Sequence, residues 1–152
     1  MKLALLKQTK ALDFYKIEQD DIDEIVEIPL FLSKVSAGFP SPAEDYVELK
    51  IDFNSFLIDK PHATFCVKVK GNSMEGAGIK DGAMLIVDRS KEPTDGKIII
   101  GVINGDFTVK RIKRIKNELY LMPEHPAYEP ILVKEDMEFQ VHGVVTYIIN
   151  KA

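Results

Sequence analysis

Asn104-Gly105 lies between two β-forming runs, Lys97-Ile98-Ile99-Ile100-Gly101-Val102-Ile103 and Asp106-Phe107-Thr108-Val109-Lys110-Arg111-Ile112. A two-residue hairpin turn of type I′ needs positive φ at both central residues, and Asn-Gly meets that need at the least steric cost. The pair therefore predicts two antiparallel strands joined by a tight turn. Similar short runs recur: Thr64-Phe65-Cys66-Val67-Lys68-Val69-Lys70, Ala83-Met84-Leu85-Ile86-Val87, Leu119-Tyr120-Leu121-Met122, and Gln140 through Ile149. Six or so short strands with few helical stretches predict a mostly β domain from about residue 46 to 150. The 152 residues suit one compact domain with room for a tail.

Composition narrows the function classes. Apolar residues make up 45% and charged residues 29%, values for a soluble globular protein. The net charge of -4 disfavours binding to nucleic acid by the whole surface, so direct DNA binding is expected to be weak or absent. One cysteine, Cys66, excludes an internal disulfide and cannot build a zinc cluster alone. No apolar run approaches the roughly 20 residues that cross a bilayer, and Met1 to Lys7 is too short for a signal-peptide core. A cytoplasmic protein without a membrane partner is the expectation.

The N-terminal part reads differently. From Asp13 to Glu27 stand seven acids, Asp13, Glu18, Asp20, Asp21, Asp23, Glu24 and Glu27, against the single base Lys16. Phe14, Ile17, Ile22, Ile25 and Val26 fall partly at helical spacing, but mutual repulsion of the acids favours a solvated flexible arm over a short helix. Pro29, Gly38, Pro40 and Pro42 then predict an extended, turn-marked segment. Within it, Val35-Ser36-Ala37-Gly38-Phe39 is small enough to lie in a protease cleft, and equally suits a linker.

Chemistry could reside in Lys70-Gly71-Asn72-Ser73-Met74-Glu75-Gly76-Ala77-Gly78. A serine in such a glycine-punctuated turn can expose its hydroxyl beside free backbone N–H groups. The same letters also describe an ordinary turn or helix cap. A serine nucleophile needs a base. His62 and His125 sit in proline turns and His142 in the last strand, and no spacing pairs any of them with Ser73. Lys110 shares a strand face with Thr108 and Ile112. If that face is inward, desolvation lowers the amine's pKa and it can serve as the base. Within the run Lys110-Arg111-Lys113-Arg114-Lys116, a solvated basic face that touches DNA or an acidic partner is the competing reading.

Taken together, Gly71-Asn72-Ser73-Met74, Asp81-Gly82-Ala83-Met84-Leu85-Ile86-Val87-Asp88 and Gly105-Asp106-Phe107-Thr108-Val109-Lys110 closely resemble the UmuD proteins, which belong to the LexA-type self-cleaving serine peptidases (peptidase family S24). Ala37-Gly38 resembles the Ala-Gly or Cys-Gly bond that this family cuts. Ser73 follows Ala37 by 36 residues and Lys110 follows Ser73 by 37, as in the family. Gly38-Phe39-Pro40-Ser41-Pro42-Ala43, Asp45-Tyr46-Val47-Glu48 and Gly143-Val144-Val145 extend the match over about residues 25 to 149. Asn72 replaces an aspartate common before the serine, and the first 24 or so residues are an extension without an obvious counterpart.

The resemblance implies a LexA-like, signal-peptidase-type β-rich domain, residues 38–152, preceded by an arm, residues 1–37, that self-cleavage removes. Ser73 is then the nucleophile and Lys110 the base. The backbone N–H groups of Ser73 and Met74 are candidates for holding the oxyanion, and no cofactor or metal is implied. Thirty-five residues separate the bond from Ser73 and span up to roughly 120 Å when extended, which permits cutting in cis or in trans. Also implied are a homodimer, activation by a RecA–single-stranded DNA filament in the SOS response, and a product that joins a UmuC-type DNA polymerase for translesion synthesis. Two other classes compete: a cleavable LexA-like repressor, and a non-enzymatic dimeric interaction module. The acidic arm and the 37 residues before the bond disfavour a DNA-binding domain there.

Overall fold

The computed structural model describes residues 2–18, 25–31 and 48–152. The expected cleavage site, Ala37 and Gly38, lies outside them. Eleven strands are described: β1 (Lys2–Gln8), β2 (Leu12–Glu18), β3 (Glu27–Phe31), β4 (Glu48–Asp52), β5 (Thr64–Val69), β6 (Met84–Asp88), β7 (Ile98–Ile103), β8 (Asp106–Ile115), β9 (Glu118–Met122), β10 (Ile131–Val133) and β11 (Phe139–Ile149). Nine of them form one antiparallel sheet in the order β1-β2-β5-β6-β11-β7-β8-β9-β10, and β3 pairs with β4 separately. The mostly β expectation holds. One short helix, α1 (Phe53–Leu57), follows β4, capped by Asp52, whose carboxylate accepts from Asn54 N at 3.1 Å and from the Ser55 hydroxyl at 2.6 Å.

The predicted hairpin forms between β7 and β8. Asn104 and Gly105 take φ of 48° and 85°, and Ile103 pairs with Asp106 across the turn. Successive side chains of β7 face opposite sides of the sheet. Ile100 therefore joins a cluster with Leu12, Phe65, Val67, Met74, Leu85 and Val109, while Ile99 joins Ile112, Leu121 and Val144. Both faces of β7 are covered, which is why its sequence is an unbroken apolar run and not an alternation.

β11 bridges two neighbours by slipping register at His142 against β7 and at Thr146 against β6. Gly143 lies at the first slip. A Cβ there would sit 2.6 Å from Val87 Cγ1 and 3.3 Å from the Asp88 carbonyl oxygen. Valine is stiff at χ1, so β6 must move to make room. Gly143→Ala is expected to destabilise the fold by about 1–3 kcal/mol, read from the urea midpoint.

The N-terminal expectation of a solvated arm or short helix is corrected for residues 2–18. They form a hairpin, β1 and β2, and β2 continues the sheet by pairing with β5 through Leu12↔Val69, Asp13↔Lys68, Phe14↔Val67 and Tyr15↔Cys66. Burial explains the outcome. Leu12 is 0% and Phe14 9% exposed, and burying such side chains contributes about 1.5–3 kcal/mol each. The acid between them, Asp13, is neutralised by Lys70 Nζ at 2.6 Å, a close ion pair in which the contacting oxygen, Oδ1, has no well-directed hydrogen bond.

Candidate active site

β5 ends at Val69, and the chain leaves the sheet through Gly71 at φ 96°. That left-handed conformation favours glycine and turns the backbone sharply. Gly71 N donates to Asp81 Oδ1 at 2.7 Å, fixing the start of the loop. Met74, 1% exposed, plugs the core below it, and a helical turn of Glu75–Ala77 follows. Ser73 is thus held, half-buried, between a fixed turn and a buried anchor.

A second segment clamps this loop. Glu124 N donates to the Ser73 carbonyl at 2.8 Å, and Gly76 N donates to the Glu124 carbonyl at 2.7 Å. A Cβ on Gly76 would lie 2.6 Å from that carbonyl oxygen, so only glycine allows the approach. Glu124 is itself held by Arg111 of β8, whose Nε lies 2.6 Å from Glu124 Oε1. Main-chain contacts such as these leave no mark in side-chain letters; the glycine at 76 is the one signal that could have pointed to them.

Lys110 reaches the loop from β8. It pairs with Ile99 of β7, deep in the sheet, and is 8% exposed. Its Nζ donates to Ser73 Oγ at 3.1 Å, to Thr108 Oγ1 at 2.8 Å and to the Val109 carbonyl at 3.0 Å. Among the described residues no carboxylate pairs with it. Burial without a counter-charge holds its amine below the ordinary lysine value. When the amine is neutral, its lone pair can accept the Ser73 hydroxyl proton over the same short distance.

The structure therefore brings Ser73 and Lys110 together, with Met74 beside them. The N–H groups of Ser73 and Met74 donate to no group among the described residues. The histidines go elsewhere. His62 is exposed in the turn Pro61–Ala63. His142 stands edge-on to Phe107 at 5.2 Å, its pKa lowered by burial and by the charges of Arg89 and Lys7. His125 contacts Asn72 at 3.4 Å, next to Ser73, but not Ser73 itself. Burial also pushes the Cys66 thiol up to about 11, so it carries no thiolate at neutral pH. Of the basic run, Lys110 turns inward, Arg111 is tied to Glu124, and Lys113, Arg114 and Lys116 are exposed.

Comparison with known proteins gives the family. Residues 29–146 match the Peptidase S24-like family. The chain is 45% identical to Protein SamA of Salmonella typhimurium, over 81% of this chain and 85% of SamA. It is 42% identical to Protein ImpA of Escherichia coli, over 81% of this chain and 83% of ImpA. It is 38% identical to the LexA repressor of Bordetella avium over 81% of this chain, but over only 57% of that repressor. This chain belongs to the peptidase S24-like family, as a UmuD-type member of it.

Proposed function

We propose that this protein is a serine–lysine peptidase that cuts its own Ala37–Gly38 bond. One observation carries the proposal: a buried lysine amine, with no counter-charge among the described residues, stands 3.1 Å from the hydroxyl of Ser73. Neutral Lys110 takes the Ser73 proton, and Ser73 Oγ bonds to the carbonyl carbon of Ala37. The N–H groups of Ser73 and Met74 steady the oxyanion. The Ala37–Gly38 bond then breaks, with the proton on Lys110 passing to the Gly38 nitrogen. Water cleaves the ester, leaving a carboxylate on Ala37 and restoring the Ser73 hydroxyl. The small side chains at residues 37 and 38 allow the close approach that this attack needs. A purely structural interaction module would have no use for the buried amine of Lys110, since an apolar residue fills that space at lower cost.

Family membership supports a biological setting for this reaction. In this reading a RecA–single-stranded DNA filament promotes the cut, a homodimer is the working form, and the product assists a UmuC-type polymerase in error-prone synthesis past DNA damage. The Ser73 loop depends on its clamp, so Gly76→Ala is expected to slow self-cleavage about 100-fold while the chain stays folded, because a displacement of about 1 Å at a reacting group costs that much. Time courses of intact mass beside circular dichroism spectra check it. The proposal as a whole is tested by adding the RecA filament at pH 7 and sequencing the product's new N-terminus. A start at Gly38, appearing faster with filament, is expected. A chain that stays whole with filament, or one cut elsewhere, contradicts the reading.

A further inference from the structure

We propose that the cut after Ala37 does not release residues 1–37: the severed segment stays seated in the sheet, and the β5 edge is a strand-binding site whose occupant is Leu12–Glu18 of this chain. The inference takes the position of the cut from the proposed function and everything else from the packing. The severed segment carries β1, β2 and β3; the remainder carries β4 and β5. Two of the segment's strands pair with two of the remainder's, β2 with β5 and β3 with β4. No covalent bond between 37 and 38 takes part in either pairing.

The contacts across the break are of core quality. Leu12, 0% exposed, and Phe14 sit in the same apolar cluster as Phe65, Val67 and Val69. Phe14 stacks on Phe65 at 6.0 Å and meets the edge of Phe107 at 4.7 Å. Lys7 of β1 lies over the Phe107 ring at 4.7 Å. Lys70 then ties the hairpin from three directions. Its N–H donates to the Ala11 carbonyl at 2.9 Å, and its Nζ donates to the Thr9 carbonyl at 2.9 Å and pairs with Asp13 at 2.6 Å. At the second attachment Lys50 pairs with Glu27 at 3.4 Å.

Departure of the segment would bare the β5 edge and part of the apolar cluster, an arrangement that soluble sheets avoid. Two attachments on one segment also reinforce each other, because while one holds, the other re-forms at high local concentration. Cleavage is then a nick: it frees two new chain ends at Ala37 and Gly38 while the hairpin keeps its place.

The test compares a denaturing with a native measurement on the full chain. Protein is allowed to split itself, and a second sample carries a recognition sequence for a site-specific protease directly after Ala37. Both are returned to pH 7. Denaturing mass spectrometry reports whether the chain was cut. Native mass spectrometry and gel filtration at micromolar concentration report whether the pieces stay together. Two fragments under denaturing conditions are expected, and under native conditions one species with the mass of the uncut assembly plus one water for each chain cut. A segment that separates, whether the remainder stays in solution or precipitates, overturns the inference. If the chain does not cut itself, the protease sample still decides retention, so failure of the peptidase reading is seen separately. Leu12→Ala in the protease-cut sample is expected to weaken retention about 30-fold or more. Retention as tight as in the unsubstituted protein overturns the contact argument.

Discussion

Ser73→Ala is expected to leave the chain at full mass under conditions in which the unsubstituted protein splits after Ala37. The loss is about four orders of magnitude or more, since a nucleophile and its base act as a unit and removing either removes the covalent step. Lys110→Met is expected to match it. The two variants differ in stability. Burial lowers the Lys110 pKa in the fold from its ordinary 10.5, so the folded chain binds fewer protons than the unfolded chain between the lowered value and 10.5. Stability therefore rises with pH across that window, and below it the buried ammonium is a standing cost. At pH 7 Lys110→Met is expected to melt higher than the unsubstituted protein, while Ser73→Ala stays near it. Scanning calorimetry beside intact-mass time courses checks both. A Lys110→Met chain that still splits would remove lysine from the mechanism.

The second large effect is on pH dependence. In the proposed mechanism the base must be neutral to accept the serine proton, so only the neutral fraction of Lys110 would react. While the amine is mostly protonated, the self-cleavage rate is expected to rise about tenfold per pH unit, then level off above the folded pKa. Because burial lowers that pKa, the plateau begins below pH 10.5. A histidine base would instead level off near neutrality, since the ordinary histidine value is about 6.5. A rate profile from pH 6 to 11 therefore identifies the base without any substitution.

The strand series was legible because its turns carry strong local chemistry. Asn104-Gly105 demands positive φ at two adjacent residues, and both adopt it. The turn between β8 and β9 was less legible, because Lys116 takes φ 57° with a residue type that seldom signals it. The pairing of Ser73 with Lys110 was readable only from the resemblance. Locally, each residue looked like an ordinary turn serine or a surface lysine. What joins them is the register of β8 on β7, which no local pattern encodes. The N-terminal hairpin was missed because its acids suggested a solvated arm. Lys70, which neutralises Asp13, stands 57 residues away and cannot be assigned to it from spacing. The clamp at Glu124 was invisible for another reason: it is built from backbone groups, which every residue type shares.

The central claim is that this chain cuts itself through Ser73 and Lys110. Intact mass decides it most directly, recorded by denaturing mass spectrometry on the purified protein and on Ser73→Ala after incubation at pH 7 and pH 10. Two products with their junction between Ala37 and Gly38, slow at pH 7, faster at pH 10 and absent in Ser73→Ala, are the predicted result. A protein that stays whole at both pH values, or a Ser73→Ala chain that splits at the same rate, would contradict it.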